Sequence, residues 1–206
     1  MSQRIHTIVG LALLVAGLAT TPLPAESPEV PAWNVDPNHS EIGFSVHHFF
    51  TPVTGTFDAF EATLRYDPEN PEASRVTAKI PVASINTRNE RRDSHLKSPD
   101  FFAAEAHPHI IFESEGVKAS SPGRLAVTGT LTIKDRSQRV ILPVEVLGIK
   151  ELPEAMQERM GAAKVASFRA TLTVDRADFG VGVGNWASDA VVGEQVEIQI
   201  LIEASH

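Results

Sequence analysis

Residues 125–133 read Leu-Ala-Val-Thr-Gly-Thr-Leu-Thr-Ile, so that Leu125, Val127, Gly129, Leu131 and Ile133 alternate with Ala126, Thr128, Thr130 and Thr132. A period of two puts the first set on one face of a β-strand and the second set on the other. The same alternation recurs along the chain. Ile42, Phe44 and Val46 form one register, as do Phe60, Ala62, Leu64 and Tyr66, and Val76, Ala78, Ile80 and Val82. Val140 to Val146, Phe168 to Val174 and Val196 to Ala204 give three more. Turn chemistry separates them at Asp67-Pro68-Glu69-Asn70, Ser120-Ser121-Pro122-Gly123 and Asp135-Arg136-Ser137-Gln138. Many one-faced strands joined by short turns define an all-β, antiparallel sandwich or barrel. No repeat or linker interrupts the stretch 26–206, which reads as one domain.

Two stretches depart from this period. Thr87 to Leu96 is polar and reads as a loop leading to a short helix at Ser98-Pro99-Asp100-Phe101-Phe102, with Ser98 as N-cap and Pro99 in the first helical position. Leu152 to Ala163 carries Leu152, Met156 and Met160 at spacing four, the pattern of about two helical turns, and reads as an outer cover. Residues 1–25 read as a secretory signal peptide: Arg4, an apolar run from Ile8 to Leu18, then small residues and prolines. The expected cleavage follows Ala25, and export without cysteines points to a bacterial periplasm.

Composition narrows the function. The 206 residues carry 18 Lys and Arg against 26 Asp and Glu, a net charge of −8, so there is no broad attraction to nucleic acid. The absence of cysteine removes disulfides, thiol catalysis and thiolate metal sites. Asp93-Ser94-His95 contains the residue types of an acyl-transfer triad, but triads are assembled from distant segments, and no Gly-x-Ser-x-Gly elbow is present. His107 and His109 flank a proline and lack metal-ligand spacing, so no metal is expected. Arg88, Arg91 and Arg92 stand beside Asn86, Thr87 and Asn89. That is a concentration of donors suited to a phosphate or carboxylate, with a solvated loop paired to Glu90 and Asp93 as the alternative.

A further set of motifs runs through the chain: Trp33-x-x-Asp36-Pro37-x-His39-Ser40, Phe44-x-Val46-x-His48, Gly55-x-Phe57 and Ser84-Ile85-Asn86-Thr87. Arg92-Asp93-x-His95-Leu96, Ser98-x-Asp100-Phe101-Phe102 and His109-x-x-Phe112 follow. Then come Gly129-Thr130-Leu131-Thr132-Ile133, Arg176-x-Asp178-Phe179-Gly180-Val181 and Val192-Gly193-x-x-Val196. Their order and spacing resemble the YceI-like family over essentially the whole chain after the leader. Asp135-Arg136, where the family usually has glycine, and Glu154 to Ala163 depart from its pattern.

The resemblance implies an extended, antiparallel, eight-stranded lipocalin-like β-barrel with a short helical segment. It also implies a periplasmic binding role toward a long apolar chain of polyisoprenoid or fatty-amide type. The physics agrees, because an eight-stranded barrel has room for filling side chains or one slender ligand. The expected site places the tail against Phe44, Phe60, Phe101, Phe102 and Phe112, and the head group of a polyprenyl phosphate or quinone near Thr87, Arg91, Arg92, Asp93 and His95. No catalytic residue and no cofactor other than the bound isoprenoid lipid is expected. An enzyme using His39, Asp93 and His95 at the barrel mouth, or a barrel filled by its own side chains, are the rival readings. Oligomeric state stays open, a homodimer included, as does transient contact with a membrane or a quinone-handling protein. Intact-mass measurement of the exported protein is expected to show a chain beginning at Glu26; retention of residues 1–25 would remove the argument for a periplasmic location.

Overall fold

Strands form where the sequence has period two. The computed structural model describes residues 29–206 except Asp189, and the leader assigned to 1–25 lies outside them. In chain order the strands are β1 (Ala32–Val35), β2 (Glu41–His48), β3 (Thr51–Phe57), β4 (Glu61–Arg65), β5 (Arg75–Pro81) and β6 (Ile85–Asn86). After helix α1 (Glu90–Lys97) come β7 (His109–Ser121), β8 (Arg124–Ile133) and β9 (Arg136–Glu151); helix α2 (Glu154–Met160), β10 (Lys164–Asp175) and β11 (Val192–Ser205) complete the chain.

All neighbouring strands pair antiparallel. β1 and β2 run as one bent stave, pairing β11 on one side and β4 and β3 on the other. β3 with β4, and β5 with β6, are bent at the same level, by Asp58–Phe60 and by the single 3-10 turn Val82–Ser84. The result is a closed barrel of eight staves.

The helices fall partly where the sequence placed them. α2 occupies the expected 152–163 segment and ends at Gly161, whose φ of 65° is the left-handed stop that glycine takes without strain. The other helix begins earlier than expected. α1 spans Glu90–Lys97, capped by Asn89, whose side chain accepts from the Arg92 N–H at 3.0 Å, and Ser98 lies beyond its end. Glu90 and Asp93 stand in its first turn and His95 and Lys97 in its last, matching the helix dipole. Leu96 alone supplies an apolar side chain, so no helical period marks this segment.

Both ends of the barrel are packed. At the foot, Trp33, Tyr66, Val117, Leu125 and Phe168 form one buried cluster. The Trp33 indole N–H donates to the Tyr66 carbonyl at 2.8 Å, and Tyr66 meets Phe168 edge-on at 5.2 Å. At the cap, Ile42, Phe57, Ile80, Ile110, Leu131, Phe179 and Val181 form the other, beneath α1 and the loops around 98–107 and 176–188.

The second of those loops is tied down by Arg176. This side chain is 3% exposed, and its guanidinium donates to five backbone carbonyls, those of Val181, Gly182, Ser188, Val192 and Gly193, at 2.9–3.3 Å. A carbonyl cage of this kind replaces the water of a buried cation and fixes the loop geometry. Arg176→Met keeps the volume and removes every donor. It is expected to cost at least about 2 kcal/mol, read as a lower urea midpoint at unchanged slope; a loss within about 0.5 kcal/mol would mean that the cage holds nothing.

Candidate functional site

Between the two clusters the lumen stays open. An elongated cavity of about 190 Å³ lies there, with an almost wholly apolar surface. Every stave contributes to it: Ile42 and Phe44, Phe57 and Leu64, Val76 and Ile80, Ile110 and Phe112, Leu125 and Leu131, Leu142 and Val144, Phe168 and Leu172, Ile198 and Ile202. A dry apolar cavity of about 150 Å³ is large enough to take up benzene, so this space accommodates a slender hydrocarbon.

Two glycines explain why large aromatics do not fill it. A Cβ on Gly55 would fall 2.5 Å from the Phe44 ring, and one on Gly129 would fall 2.6 Å from the Phe112 ring. Each phenyl group therefore lies back on the wall, over a glycine of the neighbouring strand, instead of crossing the lumen.

Of the residues expected to hold a tail, Phe44, Phe60 and Phe112 line the cavity. Phe112 also packs against both clusters. Phe101 and Phe102 lie above it in the cap: Phe101 is buried, meeting His95 edge-on at 5.0 Å and Trp186 at a tilt at 5.8 Å, and Phe102 meets Phe57 edge-on at 6.3 Å. The aliphatic lining was missed as a site, although its signal was present as the inward register of each strand.

The polar segment is largely bonded to itself. Asp93 accepts from both the backbone N–H and the hydroxyl of Thr87, while Arg92 donates through Nε to the Thr87 hydroxyl at 2.7 Å and through Nη2 to its carbonyl at 2.8 Å. His95 Nε2 lies 3.2 Å from Asp100. Arg91 faces solvent. Ser98 Oγ, buried in the same cap, has no hydrogen-bond partner among the described residues.

His39 is elsewhere, at the bend between β1 and β2. Its Nδ1 lies 2.8 Å from Asp36 and 3.7 Å from Glu203. The hydrogen bond to Asp36 holds His39 above the usual histidine range and lowers the Asp36 carboxyl in turn. These three groups bring metal-ligating atoms within 4.8 Å of one another. They share no hydrogen bond with Asp93 or His95 among the described residues, so the three side chains of the enzyme reading do not converge.

A closed antiparallel barrel with packed ends and an apolar lumen is a lipocalin-like container. The YceI-like domain pattern matches residues 33–204, and the chain belongs to that family. A UPF0312 protein of Staphylococcus aureus is 31% identical over 173 residues, covering 82% of this chain and 95% of the relative. The crystal structure of Burkholderia cenocepacia BcnA superposes with a TM-score of 0.74 at 25% identity, covering 84% of this chain and all of that one. A polyisoprenoid-binding domain from Saccharophagus degradans, implicated in plant cell wall breakdown, shares the fold with a TM-score of 0.62 at 13% identity, over 84% of this chain and 97% of that one.

The glycine–phenylalanine contact is testable by a double-mutant cycle. Gly55→Ala alone is expected to destabilise by about 1–3 kcal/mol through overpacking. In a Phe44→Ala background the same change should cost at least about 1 kcal/mol less. Additive losses would show that the ring is not held against Gly55.

Proposed function

We propose that this protein is a periplasmic carrier of a long-chain isoprenoid lipid, of polyprenyl phosphate or quinone type, and performs no chemical step on it. The observation that carries this reading is the lumen: about 190 Å³ of space inside a barrel whose inward register is almost wholly apolar. A barrel that served only as a scaffold would fill that space with its own side chains, since protein interiors pack as densely as organic crystals. Membership of a family of binding-type barrels supports the reading, and so does the shared fold of the Saccharophagus degradans domain, which is described as polyisoprenoid-binding. The periplasmic location rests on the leader at residues 1–25.

Burial of a tail needs no directed bond, because apolar area removed from water contributes about 25 cal/mol per Å². Head-group preference has to come from polar atoms near the cap. Arg91 is exposed and able to turn toward an anion, and Arg92 retains Nη1 beyond its two bonds to Thr87. In this arrangement Thr87, Asp93 and His95 hold the segment in shape while Arg91 makes the contact.

The two halves of the site predict different losses. Phe112→Ala is expected to weaken a polyprenyl phosphate and a neutral quinone alike, by about 1–3 kcal/mol each. Arg91→Ala is expected to weaken only the phosphate, by about 1.5–3 kcal/mol. Native mass spectrometry of the purified protein with each lipid reads both. Equal losses for the two lipids in the arginine variant would move the head group away from α1. Absence of any long-chain complex would sink the carrier reading.

A further inference from the structure

The β2–β3 hairpin ends in His48-Phe49-Phe50-Thr51, with His48 paired to Thr51 across a two-residue turn. Phe50 is 96% exposed and Phe49 58% exposed, at the cap end of the barrel, beyond the last residues packed on the core. Phe49 also has a φ of 52°. A left-handed first position in a two-residue hairpin turn is one where glycine is cheap and a bulky side chain is strained. This turn therefore carries two costs, exposed apolar area and backbone strain, at a position where a small polar sequence would incur neither. Outliers of this kind gather at sites of function.

The surroundings identify what the tip meets. Although the chain has a net charge of −8, no Asp or Glu occurs from Ile42 to Phe57. The flanking loop, which the Phe49 N–H reaches through the Val191 carbonyl at 2.9 Å, has no Asp or Glu from Phe179 to Ser188 and has Asp189 between Ser188 and Val191. That loop adds Val183, itself exposed. The hairpin itself thus combines exposed aromatics with two histidines and carries no carboxylate, so the tip adds no like charge toward an anionic lipid surface. Its size argues against a protein partner: two phenyl side chains offer roughly 300–500 Å², against about 800 Å² per partner in a stable protein interface. A bilayer interface accepts a wedge of that size without a complementary groove.

The geometry points to Phe49 and Phe50 as a membrane-docking tip, which inserts into the headgroup region of a bilayer and sets the cap end of the barrel against it. This goes beyond the carrier reading and does not require the cavity to be filled. Because the chain lacks cysteine, Phe50→Cys accepts a single environment-sensitive nitrobenzoxadiazole label, and Ser121→Cys, on the foot hairpin, gives the control. Vesicles of phosphatidylethanolamine and phosphatidylglycerol should raise and blue-shift the emission of the tip label and leave the foot label unchanged. In flotation with the same vesicles, the unlabelled Phe49→Ser, Phe50→Ser variant should bind about tenfold or more weakly than the parent chain. A silent tip label, an equal response at the foot, or flotation unaffected by the serines would overturn the proposal. So would sedimentation showing the tip protected in a dimer, or cross-linking that places it in another protein. Native mass spectrometry reports cavity loading separately: an empty barrel that still docks leaves this inference standing and removes only the carrier role.

Discussion

The barrel closes through four residues. β1 pairs Asn34 and Val35 with Ser205 and Ala204 of β11 on one side, and Ala32 and Trp33 with Arg65 and Leu64 of β4 on the other. Joining the last strand to the first in this way leaves the staves without free edges at the foot, and it turns a twisted sheet with one apolar face into a container. Trp33 anchors the seam by burying its ring in the foot cluster and giving its indole N–H to Tyr66. The lumen exists because the same side chains that a flat sheet would offer to a second layer are here turned toward one another. No second layer is needed, and the outer face mixes the threonines, glutamates and lysines of the alternate register with exposed apolar residues such as Ile141, Leu147 and Leu201.

Closure alone does not leave a cavity, since an eight-stranded barrel is narrow enough for its own side chains to fill. Here large residues are gathered at the two ends, and the middle is kept open by small residues and flattened rings. Ala62, Ala78 and Ala170 stand among the lining. Gly55 and Gly129 let Phe44 and Phe112 lie against the wall. Aromatic area is thus exposed to the lumen without occupying it, which suits a ligand that binds through surface contact along its length.

Most of the strands and their inward faces could be read from the sequence, because a period of two survives whatever the strand packs against; β1, β3 and the long β7 were not among them. Every register from Phe60 to Tyr66 through Val196 to Ala204 went into the barrel as patterned, and those registers line the cavity. The other features that escaped have no periodic signature. α1 is short, exposed and polar, so only Asn89 and the charges at its two ends mark it, and the proline after Ser98 is a stronger local signal in the wrong place. The bends at Asp36–Ser40 and Asp58–Phe60 depend on long-range bonds such as that between the Asp36 N–H and the Glu203 carbonyl. Arg176 draws its partners from a loop up to 17 positions away, a relation invisible to spacing. The family resemblance carried the motif that contains it without indicating its work. Polar residues of the Thr87–His95 segment looked like ligand donors because donor chemistry is the same whether it faces a phosphate or a neighbouring carbonyl.

Packed ends raise the question of where the wall yields. The β9–β10 ladder stops at Val144 opposite Ala170, next to Pro143, which has no N–H to give. Beyond that point, β9 from Arg136 to Pro143 pairs only with β8, and β10 from Thr171 to Asp175 only with β11. These cap-side halves meet on the cap cluster, against which Val140, Leu172 and Val174 pack, and at the turn Arg176–Phe179, where Arg136 reaches the Ala177 carbonyl and Lys134 the Gly180 carbonyl. Separating them exchanges apolar contacts but breaks no ladder bond, whereas separating β8 from β9 breaks pairing along ten consecutive positions. An incoming hydrocarbon replaces the apolar contacts it disturbs, so the energetic penalty of parting the wall here is smallest when the intruder is itself apolar. Parting the strands here would also have to release the Arg136–Ala177 and Lys134–Gly180 hydrogen bonds, while the carbonyl cage of Arg176 holds the adjoining loop in shape.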